Sequence, residues 1–242
     1  MLAAGRRTDS MLFGNHKAPD APQADWLPED AGAGQPLFTL FNKLAMLRKD
    51  EPSFAVQVLG PHPGCGVSTI SGGLAEFAAL NVDAPVALID ADPLKMSQFQ
   101  RVGMKVGASL QEVQQGKASL EAAMHRMHRS NLSLMSLTPP VVDRKGYSGR
   151  ALSISALSEI VALLRRRFQW IIVDSGPARD VAFSLVLSRF MSGTVVVAES
   201  EKTRVPVIHE LVHQVYANGG TSLGVVINKR KIHISDFFYR FL

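Results

Sequence analysis

The residues that could do chemistry sit at the ends of apolar runs. The stretch Phe54 to Thr69, FAVQVLGPHPGCGVST, joins an apolar run to a Gly/Pro loop and a helix start at Ser68. Loop amides and the free N–H groups of a first helical turn converge on one spot, where the helix dipole favours negative charge. The phosphate-binding pattern G-x-x-x-x-G-K-[ST] is that device. Gly66, Ser68 and Thr69 fit its end, with Gly64 and Cys65 inside the loop. Val67 stands where the lysine belongs, and Pro61 where the first glycine belongs. The stretch outlines a nucleotide site without its principal cation.

Two further apolar runs end in carboxylates. PVALIDAD ends in Asp90 and Asp92, and WIIVD ends in Asp174. Ser68 could ligate Mg²⁺ through its hydroxyl, and Asp174 could hold a metal-bound water. Asp90 could polarise a nucleophile or share the metal. The plainer alternative is that Asp90 and Asp174 only cap the helices that follow their strands. Apolar tetrads placed before Asp twice argue against capping alone.

These groups need a scaffold that brings strand ends together. Continuous apolar strands are predicted at Phe54–Leu59, Pro85–Asp92, Leu132–Leu137, Trp170–Asp174, Thr194–Glu199 and Ser222–Asn228. Helices are predicted between them, at Ser68–Leu80, Ser109–Gln115, Ser119–His128, Ser153–Gln169, Arg179–Phe190 and Val205–Asn218. Leu37, Leu40, Phe41, Leu44 and Leu47 give one apolar face to a helix over Pro36–Arg48. Strand–helix alternation with unbroken apolar strands predicts an α/β fold, a doubly wound and mainly parallel sheet with helices on both faces. Ligands of such sheets bind beyond the carboxyl ends of the strands. The strand before the loop is therefore expected at the sheet centre, with Asp90 and Asp174 near the loop mouth. Gly72 and Gly73 inside the helix after the loop suggest close packing on the sheet.

Residues 1–35 are rich in Pro, Ala, Gly and Asp without an apolar period and are expected to be a disordered tail, leaving 36–242 as one domain. Trp26 and Leu27 could anchor that tail; an incidental apolar pair is the plainer reading. Val141–Leu152 reads as a loop and HISDFFYRFL at the C-terminus as a short helix.

A hydrophobic content of 46% supplies a sizeable core, and a net charge of +5 does not argue for nucleic acid. One cysteine excludes an internal disulfide framework and suits a reducing cytoplasm. No apolar run approaches ~18 residues, so no transmembrane helix is expected, and no secretory signal pattern follows Arg6 and Arg7.

Other signals carry plainer readings. His209-Glu-Leu-Val-His213 matches the zinc-protease pattern H-E-x-x-H. Both imidazoles lie opposite the helix's apolar residues, and no third ligand follows at the expected spacing. His125 and His128 are similarly spaced and similarly bland. Cys65 lies in an amide-rich loop that could lower its pKa and give a redox role; a small loop residue is the simpler alternative. Arg165, Arg166 and Arg167 complement a helix C-terminus.

The chain resembles the bacterial tyrosine kinases of capsule and exopolysaccharide synthesis, which belong with the MinD/ParA-type P-loop ATPases. VALIDAD looks like their Walker A′ motif and WIIVDSGPA like their Walker B motif. GASLQEVQQGKASLEAAM, NLSLMSLTPP and SLGVVINKRK are similar to the corresponding segments, so the resemblance spans roughly residues 36 to 242. It implies that Gly64, Cys65, Gly66, Val67, Ser68 and Thr69 line the phosphates of ATP. Ser68, Asp90 and Asp174 would serve Mg²⁺, with Asp90 and Asp92 as the candidate catalytic carboxylates. Asn228 lies where related ATPases contact adenine.

The departures limit the implied activity. No Lys or Arg occurs between Glu51 and Leu94, and His62 is the loop's one possible cation. The family's ring-assembly helix is not recognisable in PLFTLFNKLAMLRK, and only Tyr239 stands near the end where the kinases carry a tyrosine cluster. The resemblance implies a degenerate, regulatory P-loop protein, cytoplasmic and held at the inner membrane by a polysaccharide co-polymerase of the Wzc/Wzz type. Homo-oligomers are allowed. An active tyrosine kinase or ATPase of the same pathway, and a MinD/ParA-like positioning ATPase, are the alternatives.

Overall fold

Apolar runs without polar alternation can leave neither face of a strand in water, and here they form the interior of one sheet. The computed structural model describes residues 31–129, 131–141, 152–178, 181 and 183–230. Its strands are β1 (Phe54–Leu59), β2 (Val86–Ala91), β3 (His125–Arg126), β4 (Leu132–Ser136), β5 (Trp170–Ser175), β6 (Gly193–Glu199) and β7 (Ser222–Asn228). The order is β3-β4-β2-β5-β1-β6-β7. Every pairing is parallel except β3 with β4. This is the doubly wound α/β sheet that the alternation implies. β5 holds the central place and β1 sits beside it, one position from where it was expected.

The helices are α1 (Ala31–Arg48), α2 (Val67–Asn81), α3 (Ser97–Arg101), α4 (Leu110–Gln114), α5 (Leu120–Ala123), α6 (Ile154–Arg165), α7 (Phe183–Leu187) and α8 (Val205–Ala217). Strand residues alternate between two cores. Phe54, Val56 and Val58 of β1, with Leu88 and Trp170, pack under α1 and α2. Ala55, Ile89 and Ile171 face the opposite way, onto Leu157, Ile160 and Leu164 of α6. Leu211 and Val215 of α8 close the sheet over Leu59 and Val196.

α1 begins at Ala31, ahead of the predicted Pro36, and packs Phe41 against Trp170 with ring centroids 5.2 Å apart. Gly73 serves this helix and not the sheet, because a Cβ there would stand 2.6 Å from Leu37 Cδ1. α3 and β3 were not anticipated. The chain expected to be helical through His128 leaves α5 at Ala123 and pairs His125 and Arg126 with β4. α6 stops at Arg165, whose guanidinium donates to the carbonyls of Ser53 and Phe190 and ties the helix end to the sheet. α7 is shorter than predicted and runs into a 3₁₀ turn at Ser188–Phe190. Trp26 and Leu27, most of the 141–152 loop and the C-terminal helix expected from residue 233 onward lie outside the described residues.

Candidate nucleotide site

The strand order brings the predicted groups to one end of the sheet. β2 and β5 are neighbours in register, so Asp90 pairs with Asp174 across one rung. Strand alternation sends both onto the α2 face, with Leu88 and Ile172 two residues before them. β1 lies on the other side of β5 and delivers the loop and the start of α2 beside them.

The loop's shape is set by its neighbours. Gly66 caps α2 with φ 103°, a conformation that side chains avoid. A Cβ on Gly66 would stand 1.9 Å from the Asn228 side-chain nitrogen. The Asn228 amide donates to the Cys65 carbonyl at 3.0 Å, and Lys229 Nζ donates to the Gly64 carbonyl at 2.6 Å. The end of β7 thus grips the loop just before it enters α2. His62 bridges the Pro63 carbonyl oxygen at 3.1 Å and the Thr203 hydroxyl at 2.9 Å through its two ring nitrogens.

Below the loop lies a buried acidic pair. Asp174 accepts from Gln98 Nε2 at 2.6 Å, and Ser68 and Ser71 stand close to it; the Ser71 hydroxyl donates to the Val67 carbonyl at 2.8 Å. Asp90 accepts from the backbone N–H of Gln98 at 2.8 Å and of Asp92 at 3.3 Å. Burial, then the Asp174 charge, raises the Asp90 pKa. Burial raises that of Asp174 against the hydrogen bonds it receives. Two adjacent carboxyls in a low-dielectric pocket resist being charged together. Gln98 also donates to the Ser68 carbonyl at 2.8 Å. Gln98 therefore joins the loop helix to both acidic strand ends, to Asp174 through its side chain and to Asp90 through its backbone N–H.

A cavity of about 340 Å³ opens above these groups. Its wall includes Gly64, Gly66, Ser68 and Thr69 from the loop and the start of α2, Asp92, Lys95 and Ser97 after β2, Ser175 at the end of β5, and Lys229. Asp90 and Asp174 are buried and do not line it; with the Ser68 hydroxyl they offer the hard oxygen chemistry that Mg²⁺ prefers. Loop amides and a long helix's N-terminus suit a phosphate chain. The residues present thus fit Mg²⁺ and nucleotide, with Val67 and not lysine in the loop. Val67 is almost buried and belongs to the α2-side core.

The lowered pKa that a redox role for Cys65 needs is not found, and the simpler reading stands. Cys65 is 1% exposed, its thiol donates to the His62 carbonyl at 3.1 Å, and burial pushes its pKa up. The small-residue alternative accounts for it, since a Cβ on Gly60 would stand 2.3 Å from its sulfur. His209 and His213 are exposed on α8 beside an apolar groove, and no group of three metal-ligating side chains occurs among the described residues. Sequence reasoning missed Gln98, Lys95 and Lys229. Lys95 lay one residue beyond the cation-free window, and Lys229 directly follows Asn228.

No family profile matches the chain. It is 23% identical over 173 residues to tyrosine-protein kinase ptk of Acinetobacter johnsonii, covering 72% of this chain and 23% of that protein. It is 26% identical over 204 residues to EpsB of Ralstonia solanacearum, covering 84% and 26%. The chain thus spans about a quarter of the length of these relatives. Among solved structures, the kinase domain of Escherichia coli tyrosine kinase ETK superposes with a TM-score of 0.72 at 17% identity, covering 93% of this chain and 88% of that one. The fold is that of the bacterial tyrosine-kinase domain. It is shared more distantly with MinD of Pyrococcus horikoshii, solved with Mg-ADP, at a TM-score of 0.56 and 18% identity, covering 72% and 70%. The resemblance to the tyrosine kinases and MinD-type ATPases read from VALIDAD and WIIVDSGPA therefore holds. No helix of the described residues is long and apolar enough to cross a membrane.

Proposed function

We propose that this chain is a regulatory, kinase-like P-loop domain that binds Mg·nucleotide weakly and turns it over poorly, if at all. One observation carries the reading: Val67 occupies the lysine position of a loop whose Ser68 and Thr69 line the cavity, while Asp90 and Asp174 lie buried on neighbouring strands as one paired rung. Binding draws on loop amides, the helix terminus and the metal. Turnover draws most on charge that answers the transition state, and the loop lacks it.

In this reading Ser68, Asp90 and Asp174 hold Mg²⁺, the segment Gly64–Thr69 lines the phosphates, and Asp90 and Asp92 are the residual candidate base positions. Mg²⁺, when bound, neutralises phosphate charge. Asn228 both braces the loop and borders the place of the base. The domain acts in exopolysaccharide or capsule assembly as the cytoplasmic partner of an inner-membrane polysaccharide co-polymerase, alone or as a homo-oligomer. The names of its relatives and the kinase-domain fold support the kinase-like part of that assignment; the partner is the reading's own addition.

A second reading, a working ATPase or tyrosine kinase, is favoured by the two lysines in the cavity wall. Calorimetric titration with ATP and ADP, with and without Mg²⁺, alongside a phosphate-release assay, separates the two. Weak Mg-dependent binding without release supports regulation. Robust release abolished by Asp90→Ala supports the enzyme, and no binding at millimolar nucleotide sinks both.

A further inference from the structure

The geometry points to Lys95 as the residue that meets the terminal phosphates of a bound nucleoside triphosphate in place of the missing loop lysine. This rests on the nucleotide reading above and names the cation that reading lacks.

Three residues in the cavity wall could carry positive charge: His62, Lys95 and Lys229. Two are already engaged. Lys229 Nζ donates to the Gly64 carbonyl and lies 3.3 Å from a Glu199 carboxylate oxygen. The His62 ring is spent on Pro63 and Thr203. Lys95 is exposed and has no side-chain partner among the described residues.

Position separates the two lysines as well. Lys229 and Asn228 hold the carbonyls of Gly64 and Cys65, just before the Gly66 cap of α2. Lys95 follows β2 and shares its stretch of wall with Asp92 and Ser97, next to the Asp90–Asp174 rung and Ser68. Ser68 and the carboxylates would hold a metal that neutralises the charge of a nucleotide's last phosphates, so the lysine would stand at that end.

The backbone fixes that placement. The Asp92 carbonyl accepts from Met96 N–H at 2.9 Å and from Lys95 N–H at 3.3 Å, closing a turn. Met96 takes φ 46° with its side chain buried, and the next N–H but one, that of Gln98, is bound to Asp90. Lys95 is thus presented by a turn anchored on both sides, while its own side chain stays in water. A long, flexible ammonium on such a turn acts as a point charge for phosphate.

The test is calorimetry of the full chain and its Lys95→Ala, Lys95→Arg, Lys229→Ala and Val67→Lys variants. The probes are Mg·ATP, Mg·ADP and adenosine, and melting temperature checks folding. The expected result is that Lys95→Ala weakens Mg·ATP about tenfold to a hundredfold. It leaves adenosine binding and melting temperature unchanged, and Lys95→Arg retains most of the affinity. Adding Val67→Lys to Lys95→Ala restores Mg·ATP binding, because either cation answers the same charge. If the parent binds Mg·ATP and Lys95→Ala binds it equally well, the assignment to Lys95 falls and the nucleotide reading stands. If Lys95→Ala weakens adenosine as much as ATP, the residue shapes the pocket and does not read phosphate. If the parent binds no nucleotide, both fall. Binding that appears only with Val67→Lys likewise shows that Lys95 supplies no useful charge.

Discussion

Asp90 and Asp174 occupy one rung of the β2–β5 ladder, and Gln98 donates to both, through its backbone to the first and through its side chain to the second. Two carboxyls so close and so buried are stabilised by a proton, a cation or donors from the protein. Gln98 supplies donors but no positive charge.

A stability profile against pH follows from that pair. Both pKa values are raised, by burial first. The folded chain therefore holds more protons than the unfolded one above the ordinary carboxyl value of about 4. Its stability from this pair is highest below that value and declines as pH rises toward neutrality. Replacing Asp90 by Asn removes one titration. The melting temperature of Asp90→Asn minus that of the parent should grow more positive from pH 5 to 8, by a few degrees at roughly 2–4 °C per kcal/mol. Scanning fluorimetry across that range checks it, and a difference that stays flat would show that the pair is not charge-frustrated.

Mg²⁺ should act in the same place. Added Mg²⁺ with ADP is expected to raise the parent's melting temperature and to leave Asp174→Asn unmoved, because a ligand that binds only the folded state stabilises it. A shift of equal size in both proteins would remove Asp174 from the metal site.

Val67→Lys tests the loop itself. A lysine there adds charge-assisted bonds of about 1.5–3 kcal/mol. The dissociation constant for Mg·ATP should fall at least about tenfold, by the rule of about 1.4 kcal/mol per tenfold. Tighter binding without phosphate release would place further losses beyond position 67.

Gly66→Ala should disable the site through shape. The left-handed backbone costs a side chain about 1–2 kcal/mol, and the new Cβ would drive into the Asn228 amide that braces the loop. A lowered melting temperature with lost nucleotide binding is expected. Asn228→Ala in the same chain should relieve the collision and leave the backbone strain.

Cys65 should behave as a core residue. Its thiol is shielded and its pKa raised, so an aromatic disulfide reagent should react only as fast as the protein opens. Labelling of the native protein as fast as free cysteine would contradict the structure.

The parts legible in the sequence were those with strong local period. The apolar tetrads before Asp90 and Asp174 gave the strands, and their parallel sheet brought the two carboxyls together. α3 and β3 were missed because five and two residues are too short to show a period. The role of Gly73 depended on where α1 lands, and that of Cys65 on what lies beneath the loop. Loop amides do favour the Cys65 thiolate, but burial of the sulfur outweighs them and leaves its pKa raised. Lys229 reaches the loop because β6 alone separates β7 from β1. That adjacency is decided by sheet order, and no local spacing encodes it.

The grip of Gln98 also links events that look separate. A metal held by Asp90 and Asp174 would compete for their oxygens with Gln98, the second residue of α3, three positions after Lys95. Freeing Gln98 would loosen the turn that carries the lysine. Metal entry and the aim of the phosphate-facing charge are then two readings of one mechanical coordinate. The pocket would respond to metal and triphosphate as a coincidence, and only weakly to either alone.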